Sequence, residues 1–316
     1  MDRHALLAID TSTEICSVAV CFPYLVGEPT CAPVAGGLSH IVGAHTTPPL
    51  EPVLAAEASV FDDPAAGLRF ITIERRTGSV SSGFILPAIN AVLRAAGIRL
   101  QDCGALAFGA GPGSFTGLRT AAGIAQGLAF GANLKVLPVN TLMACAESAR
   151  QRDTLAGCTQ VLAVMDARMS QCYWEVFDGS AAHGRWRSLG ASAVSDPQAV
   201  ILPTKMAVQA TQADTTLAPI PSPSYALVGN GAEIFRDQLC VADKACCLDA
   251  AARPSATAIA AVGWRDWLAG HAVAPAEALP RYVRDKVAST TLEREAEREE
   301  RAKVKASAAL AQEGKS

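Results

Sequence analysis

The sequence predicts an α/β protein of two lobes, each a mixed sheet with flanking helices in the order βββαβαβα. Two observations carry this expectation. An apolar strand ending in aspartate, Leu6-Leu7-Ala8-Ile9-Asp10, opens a hairpin, and Val161-Leu162-Ala163-Val164-Met165-Asp166 does the same in the second half. After each hairpin, short apolar runs bounded by Gly, Asn and Pro alternate with segments whose apolar residues recur every three and four positions. Three strands followed by such alternation imply a mixed sheet with helices on its faces, and two such lobes leave a cleft between their hairpins.

In the first lobe, strands Leu6–Asp10, Cys16–Phe22 and Arg69–Glu74 lead to a helix at Ser82–Ala96. Strand Ala105–Phe108, helix Phe115–Phe130, strand Lys135–Val139 and helix Leu142–Arg150 follow. In the second, strands Val161–Asp166 and Gln171–Phe177 are joined by a third near Arg185–Leu189, then a helix from Asp196-Pro197. Strand Tyr225–Val228, a helix around Glu233–Leu239, a strand near Cys246–Leu248 and helix Ser255–Leu268 complete it. Ser82, Asp196 and Ser255 are the expected helix caps. The lobes are expected at residues 1–152 and 153–287, with a charged tail at 288–316.

Three segments fall outside this plan. Residues 27–68 hold six prolines and Gly36-Gly37 and read as an irregular insertion, with Asp62-Asp63 as turn residues. Residues 203–224 read as a surface loop, and the chain from Leu292 as a solvated helix with Glu297/Arg301 and Glu299/Lys303 pairs.

A net charge of −3 argues against an autonomous nucleic-acid binder. The ten cysteines include no C-x-x-C and lie mostly in apolar runs, so they read as reduced, buried small side chains without a metal. The five histidines form no H-x-x-x-H, which disfavours a metallohydrolase. Neither a signal peptide nor a membrane span is expected, and the sequence reads as cytoplasmic.

Two motifs carry candidate chemistry. Asp10-Thr11-Ser12-Thr13 suits a turn that offers N–H groups and hydroxyls to a phosphate, its Asp orienting a metal-bound water; the same residues also make an ordinary tight turn. Its echo Asp166-Ala167-Arg168 lacks glycine and hydroxyls and reads as a degraded copy. The second motif, Gly109-Ala110-Gly111-Pro112-Gly113-Ser114-Phe115-Thr116-Gly117-Leu118-Arg119, joins a strand to a helix, where an anion can sit at the helix N-terminus. It is neither a Walker loop nor a nucleophile elbow. The helix after it carries Gly123, Gly127 and Gly131 at every fourth residue. Each interior glycine costs about 1 kcal/mol against alanine, so this face is expected to receive another backbone, from the same chain by preference or from a second subunit. Trp264 and Trp267 read as core.

With Leu6–Glu14, the Gly-Pro-Gly-Ser-Phe-Thr-Gly-Leu-Arg string at 111–119, Gly123–Ala129, Val139-Asn140-Thr141-Leu142, Val164–Arg168, Tyr173-Trp174 and Pro280–Arg284, the chain resembles the TsaB family. The resemblance implies the two-lobed actin/hexokinase/Hsp70-like (ASKHA) fold. It also implies a non-catalytic subunit of the tRNA threonylcarbamoyladenosine complex, pairing with the TsaD transferase and joined by the ATPase TsaE, with a homodimer when alone. In that system TsaD moves threonylcarbamoyl from its adenylate to adenosine 37 of tRNAs reading ANN codons, and tRNA is met only through the complex. TsaD carries the H-x-x-x-H metal site that this chain lacks.

The resemblance places the partner interface on helices 82–97 and 115–130, at Ile85, Ile89, Leu118, Arg119, Ala122, Gly123, Gln126 and Gly127. Asp10, Thr11, Ser12, Gly111, Gly113 and Ser114 are expected to keep a vestigial nucleotide-site geometry, with no cofactor of the chain's own and ATP or ADP only at the complex interface. The alternative reading is an active ATPase or small-molecule kinase of the same superfamily.

Overall fold

The computed structural model describes residues 5–24, 57–77, 81–181, 184–200 and 225–284. Met1–Val283 forms one compact unit and Arg284–Ser316 a second, of which only Arg284 is described. The first sheet runs β3 (Ser59–Asp63), β4 (Leu68–Arg76), β2 (Ile15–Pro23), β1 (Ala5–Asp10), β5 (Cys103–Gly111), β6 (Lys135–Asn140). Strands β1, β5 and β6 are parallel, whereas β2, β4 and β3 continue the sheet antiparallel. The second sheet repeats the arrangement: β10 (Ala193–Ser195), β8 (Cys172–Asp178), β7 (Gln160–Asp166), β11 (Tyr225–Val228), β12 (Cys247–Asp249), with β9 (Arg187–Ser188) also on β8. Here β7, β11 and β12 are parallel and β8 returns antiparallel. The doubled hairpin-plus-parallel plan is therefore present.

Strand periodicity sorts the core. Leu7 and Ile9 of β1 face α1 (Ser81–Ala95) and α2 (Phe115–Ala132), while Leu6 and Ala8 point to the opposite side. That opposite side is covered by α5 (Ala256–Leu268), which follows the second sheet in the chain yet packs on β1, β2, β5 and β6 of the first. Conversely α3 (Thr141–Gln151) follows the first sheet and packs on β7 and β8 of the second, as well as on α5. Each half thus lends a helix to the other's sheet.

A buried carboxylate fastens this exchange. Glu147 of α3 is wholly buried; Arg265 of α5 reaches it at 2.9 Å, the Trp186 indole N–H at 2.7 Å, and Arg150 from its own helix. Sequence periodicity marked no role for it. Trp264 and Trp267 stack edge to face at 5.1 Å, with Trp264 in the core as expected. Ser255 caps α5 through the Ala258 N–H, and the Ser17 hydroxyl of β2 accepts the Ala256 N–H at 2.8 Å.

Four expectations need correction. The end of the expected insertion is an ordered edge strand, β3, in which Asp62 pairs with Arg69 at 2.7 Å and Asp63 accepts the turn N–H of Ala66. Its charged, five-residue run gives no alternation to read. The helix from Asp196 begins as a three-residue 3-10 turn, Pro197–Ala199, and the Asp196 side chain makes no cap bond. The helix near Glu233–Leu239 shrinks to α4 (Gly231–Ile234). Finally, not all ten cysteines are single thiols, because Cys158 and Cys246 are joined sulfur to sulfur. The Ser82 side chain, residues 27–56, the 203–224 loop and the tail from Leu292 lie outside the described residues.

Candidate functional site

The two candidate loops meet at the carboxyl ends of β1 and β5. Thr11 donates from its hydroxyl to the Gly117 carbonyl at 2.7 Å, and the Ser114 N–H donates to the Ser12 carbonyl at 2.7 Å. The contact is backbone on backbone. A Cβ on Gly117 would stand 1.8 Å from the Thr11 carbonyl oxygen, so no other residue fits there. Gly113 lies against the Ser12 carbonyl, and Ser114 caps α2 through the Gly117 N–H.

Asp10 sits beneath this joint, fully buried. Its Oδ2 accepts from the Ser12 hydroxyl at 3.0 Å and the Ser12 N–H at 3.4 Å. Its Oδ1 has no hydrogen-bond donor and lies where a Cβ on Gly109 would be 2.0 Å away. Burial pushes the carboxyl up to about 7 against the pull of the two Ser12 donors, and Glu74 adds a smaller push. Burial thus disfavours the ionised form of this carboxyl.

The remaining neighbours tie this joint to both sheets. Thr141, at the start of α3, donates to the Pro112 carbonyl. Asn140 caps α3 through Leu142 and Met143 and donates from its amide to the buried Glu175 of β8 at 2.7 Å. The segment after the 3-10 turn Pro275–Glu277 closes over β5: the Arg281 N–H donates to the Ala110 carbonyl at 2.7 Å, beside Gly111. The Thr11 and Ser12 hydroxyls and the Ser12, Ser114 and Gly117 N–H groups are thus engaged within the two loops themselves. Across the second hairpin, Arg168, Met169 and Ser170 all adopt left-handed φ (63, 53 and 58°), a conformation costly to residues with a Cβ. Asp166 accepts the Arg168 N–H at 2.8 Å there.

The expected interface residues divide. Ile85, Ile89 and Ala122, expected at the interface, are buried in the chain's own core together with residues of β1, β2 and β5, and Leu118, expected there too, is buried beside Gly111. Periodicity shows an apolar helix face without showing what covers it. Arg119 stacks on Phe115 at 3.8 Å and donates to the Tyr282 hydroxyl, while Gln126 donates to the Ala278 carbonyl. Gly123 and Gly127 are exposed, and Cβ atoms built on Gly123, Gly127 or Gly131 would meet nothing within 4 Å. The preferred expectation that another part of this chain fills the stripe is therefore not met among the described residues. Phe130 on the same helix is 83% exposed and Leu86 of α1 46% exposed, two apolar surface residues the sequence reading passed over.

A family model described as "TsaD: tRNA N6-adenosine threonylcarbamoyltransferase" matches residues 81–293. The chain is 35% identical over 207 residues to a Haemophilus influenzae protein named "tRNA threonylcarbamoyladenosine biosynthesis protein TsaB", a match covering 64% of this chain and 68% of that protein. The chain belongs to the TsaB family. A relative of the same name from Escherichia coli is 45% identical over 116 residues, 37% of this chain and 48% of that protein, so this match spans about half of the relative's length. Among solved structures, YeaZ from Pseudomonas aeruginosa aligns with TM-score 0.63 at 26% identity, covering 88% of this chain and 99% of that one. A second, titled as an uncharacterized protein with similarity to peptidase YEAZ from Pseudomonas aeruginosa, aligns with TM-score 0.63 at 27% identity, covering 89% of this chain and all of that one. This TsaB chain has their two-sheet actin/hexokinase/Hsp70-like fold. No helix among its described residues is long and apolar enough to cross a membrane.

Proposed function

We propose that this chain is a non-catalytic cytoplasmic subunit of the tRNA threonylcarbamoyladenosine machinery that docks on and activates a TsaD transferase. The observation that carries the reading is the open glycine face of α2, flanked by exposed Phe130 and meeting no other described part of the chain. Three interior glycines together forgo about 3 kcal/mol of helix stability, a cost that a close-packing partner helix would offset. Pairing with a TsaD transferase, the partner that the family resemblance implies, would supply such a helix, with a second copy of this chain as its substitute when TsaD is absent. TsaE would join the pair, tRNA would be met through the complex, and any ATP or ADP would be held jointly with a partner. The absence of an H-x-x-x-H string from the sequence supports leaving the transfer step to TsaD.

The test is gel filtration of this protein with TsaD from the same organism, repeated with Gly127→Leu. A one-to-one complex lost in the variant, while the variant keeps its circular dichroism spectrum, is the expected result. No complex with the unaltered chain would refute docking. ATP turnover above an Asp10/Thr11 double-variant background would favour the kinase-like alternative instead.

A further inference from the structure

The starts of the parallel strands of the second sheet, the opposite end of β7 from Asp166, hold a group of side chains that the proposed function does not use. Cys158 lies just before β7, Cys246 just before β12, and Cys247 opens β12; β11 runs between these two strands and pairs with both. The three sulfurs all lie within 4.8 Å of one another. Cys158 is buried, Cys247 half-buried and Cys246 exposed, so the group is reached from solvent on one side.

Two of its three edges have the dimensions of a metal cradle. A zinc–thiolate bond of about 2.3 Å sets the edge of a tetrahedron of sulfurs near 3.8 Å. The Cys247 sulfur stands 3.9 Å from that of Cys158 and 3.9 Å from that of Cys246. The third edge is closed by the Cys158–Cys246 bond, yet the Cα atoms of that pair are 7.7 Å apart. Disulfides ordinarily span about 4.4–6.8 Å between Cα atoms, whereas a cation seated between two sulfurs spans the wider gap. Asp249 is not a fourth ligand, since one oxygen takes Arg152 and Thr154 and the other takes the N–H groups of Ala251 and Ala252.

We propose that Cys158, Cys246 and Cys247, when reduced, form a three-thiolate site for Zn2+ with water in the fourth position. Reduction of the Cys158–Cys246 bond by two small thiols yields two cysteine thiols and one small-molecule disulfide. On binding, the three cysteine thiols release their protons to solvent. The bound ion then clamps the starts of β7 and β12 across β11. The sequence hid the site because its ligands lie 88 residues apart and form no C-x-x-C pair.

The test uses the full chain, reduced with a phosphine and titrated with Zn2+ alone against a colorimetric chelator. One equivalent should bind, and Zn2+ should shield these three cysteines, but not exposed Cys240, from alkylation read by peptide mass spectrometry. Cys247→Ser should weaken binding by more than the roughly 10–100-fold that supporting residues alone carry, and Cys240→Ser should leave it unchanged. The alkylation readout needs no variant, so misfolding of one variant cannot decide the matter. Absence of stoichiometric Zn2+, shielding that ignores these cysteines, or a Cys158–Cys246 bond that survives the phosphine would each overturn the proposal.

Discussion

Asp10→Asn should change how the stability of this protein responds to pH. In the folded chain burial raises the Asp10 carboxyl from 3.8 to about 7, with one oxygen left without a donor. A folded pKa above the unfolded one means that the folded chain holds the extra proton between those values. Its stabilising contribution is therefore complete below about pH 4 and is lost as pH rises through 7. At 1.36 kcal/mol per unit the full loss is about 4 kcal/mol, of which more than half falls between pH 5 and pH 8. Asparagine keeps an oxygen for Ser12 and cannot ionise, so the variant lacks this loss while every other titrating group stays the same. Urea unfolding of both proteins at pH 5, 6, 7 and 8 should show the wild-type midpoint falling relative to the variant by about 1 M across the range, for a slope near 2 kcal/mol/M. Parallel profiles would refute the reasoning. A wild type that gains on the variant as pH rises would point to a cation facing Asp10.

Glu147→Gln should cost about 3–5 kcal/mol in thermal or chemical unfolding, because it strands Arg265 and Arg150 without their shared carboxylate; a loss below 1 kcal/mol would count against a tie between α3 and α5. Gly117→Ala and Gly123→Ala should act in opposite directions. The first drives a methyl into the Thr11 carbonyl and should destabilise the fold by about 3 kcal/mol or more, whereas the second, on the open face, should raise stability by about 0.5–1 kcal/mol in melting experiments. Ser17→Ala leaves the Ala256 N–H buried without an acceptor and should cost about 1–3 kcal/mol, checked by the same unfolding curves.

Elements whose burial follows a local period were legible from the residues alone. Strand β1 and its echo β7 end in aspartate where expected, and α2 opens at Phe115 as expected. What escaped notice depends on contacts distant in sequence. Apolar spacing showed that α3 and α5 each have a face to bury, but not that each would bury it on the other half's sheet. Strand β3 escaped because its partner β4, rather than its own pattern, holds it in place. The turn at Arg168–Ser170 was legible as a turn, yet its left-handed run was not, since no glycine advertises it. In the candidate site, the two loops were found together with their glycines. Their filling of one another, and the uncharged tendency of Asp10, needed the geometry of Gly109 and Gly117.

The exchange of α3 and α5 has a mechanical consequence. In a fold whose halves are joined only by a hinge, the halves can swing and a cleft can open and shut around a ligand. Here each crossing helix bears on the partner sheet, and Glu147 bolts the two helices together with both arginines and Trp186. Swinging one sheet away from the other would pull that carboxylate out of its three donors. The shared carboxylate therefore acts as a brace that opposes relative movement of the two sheets.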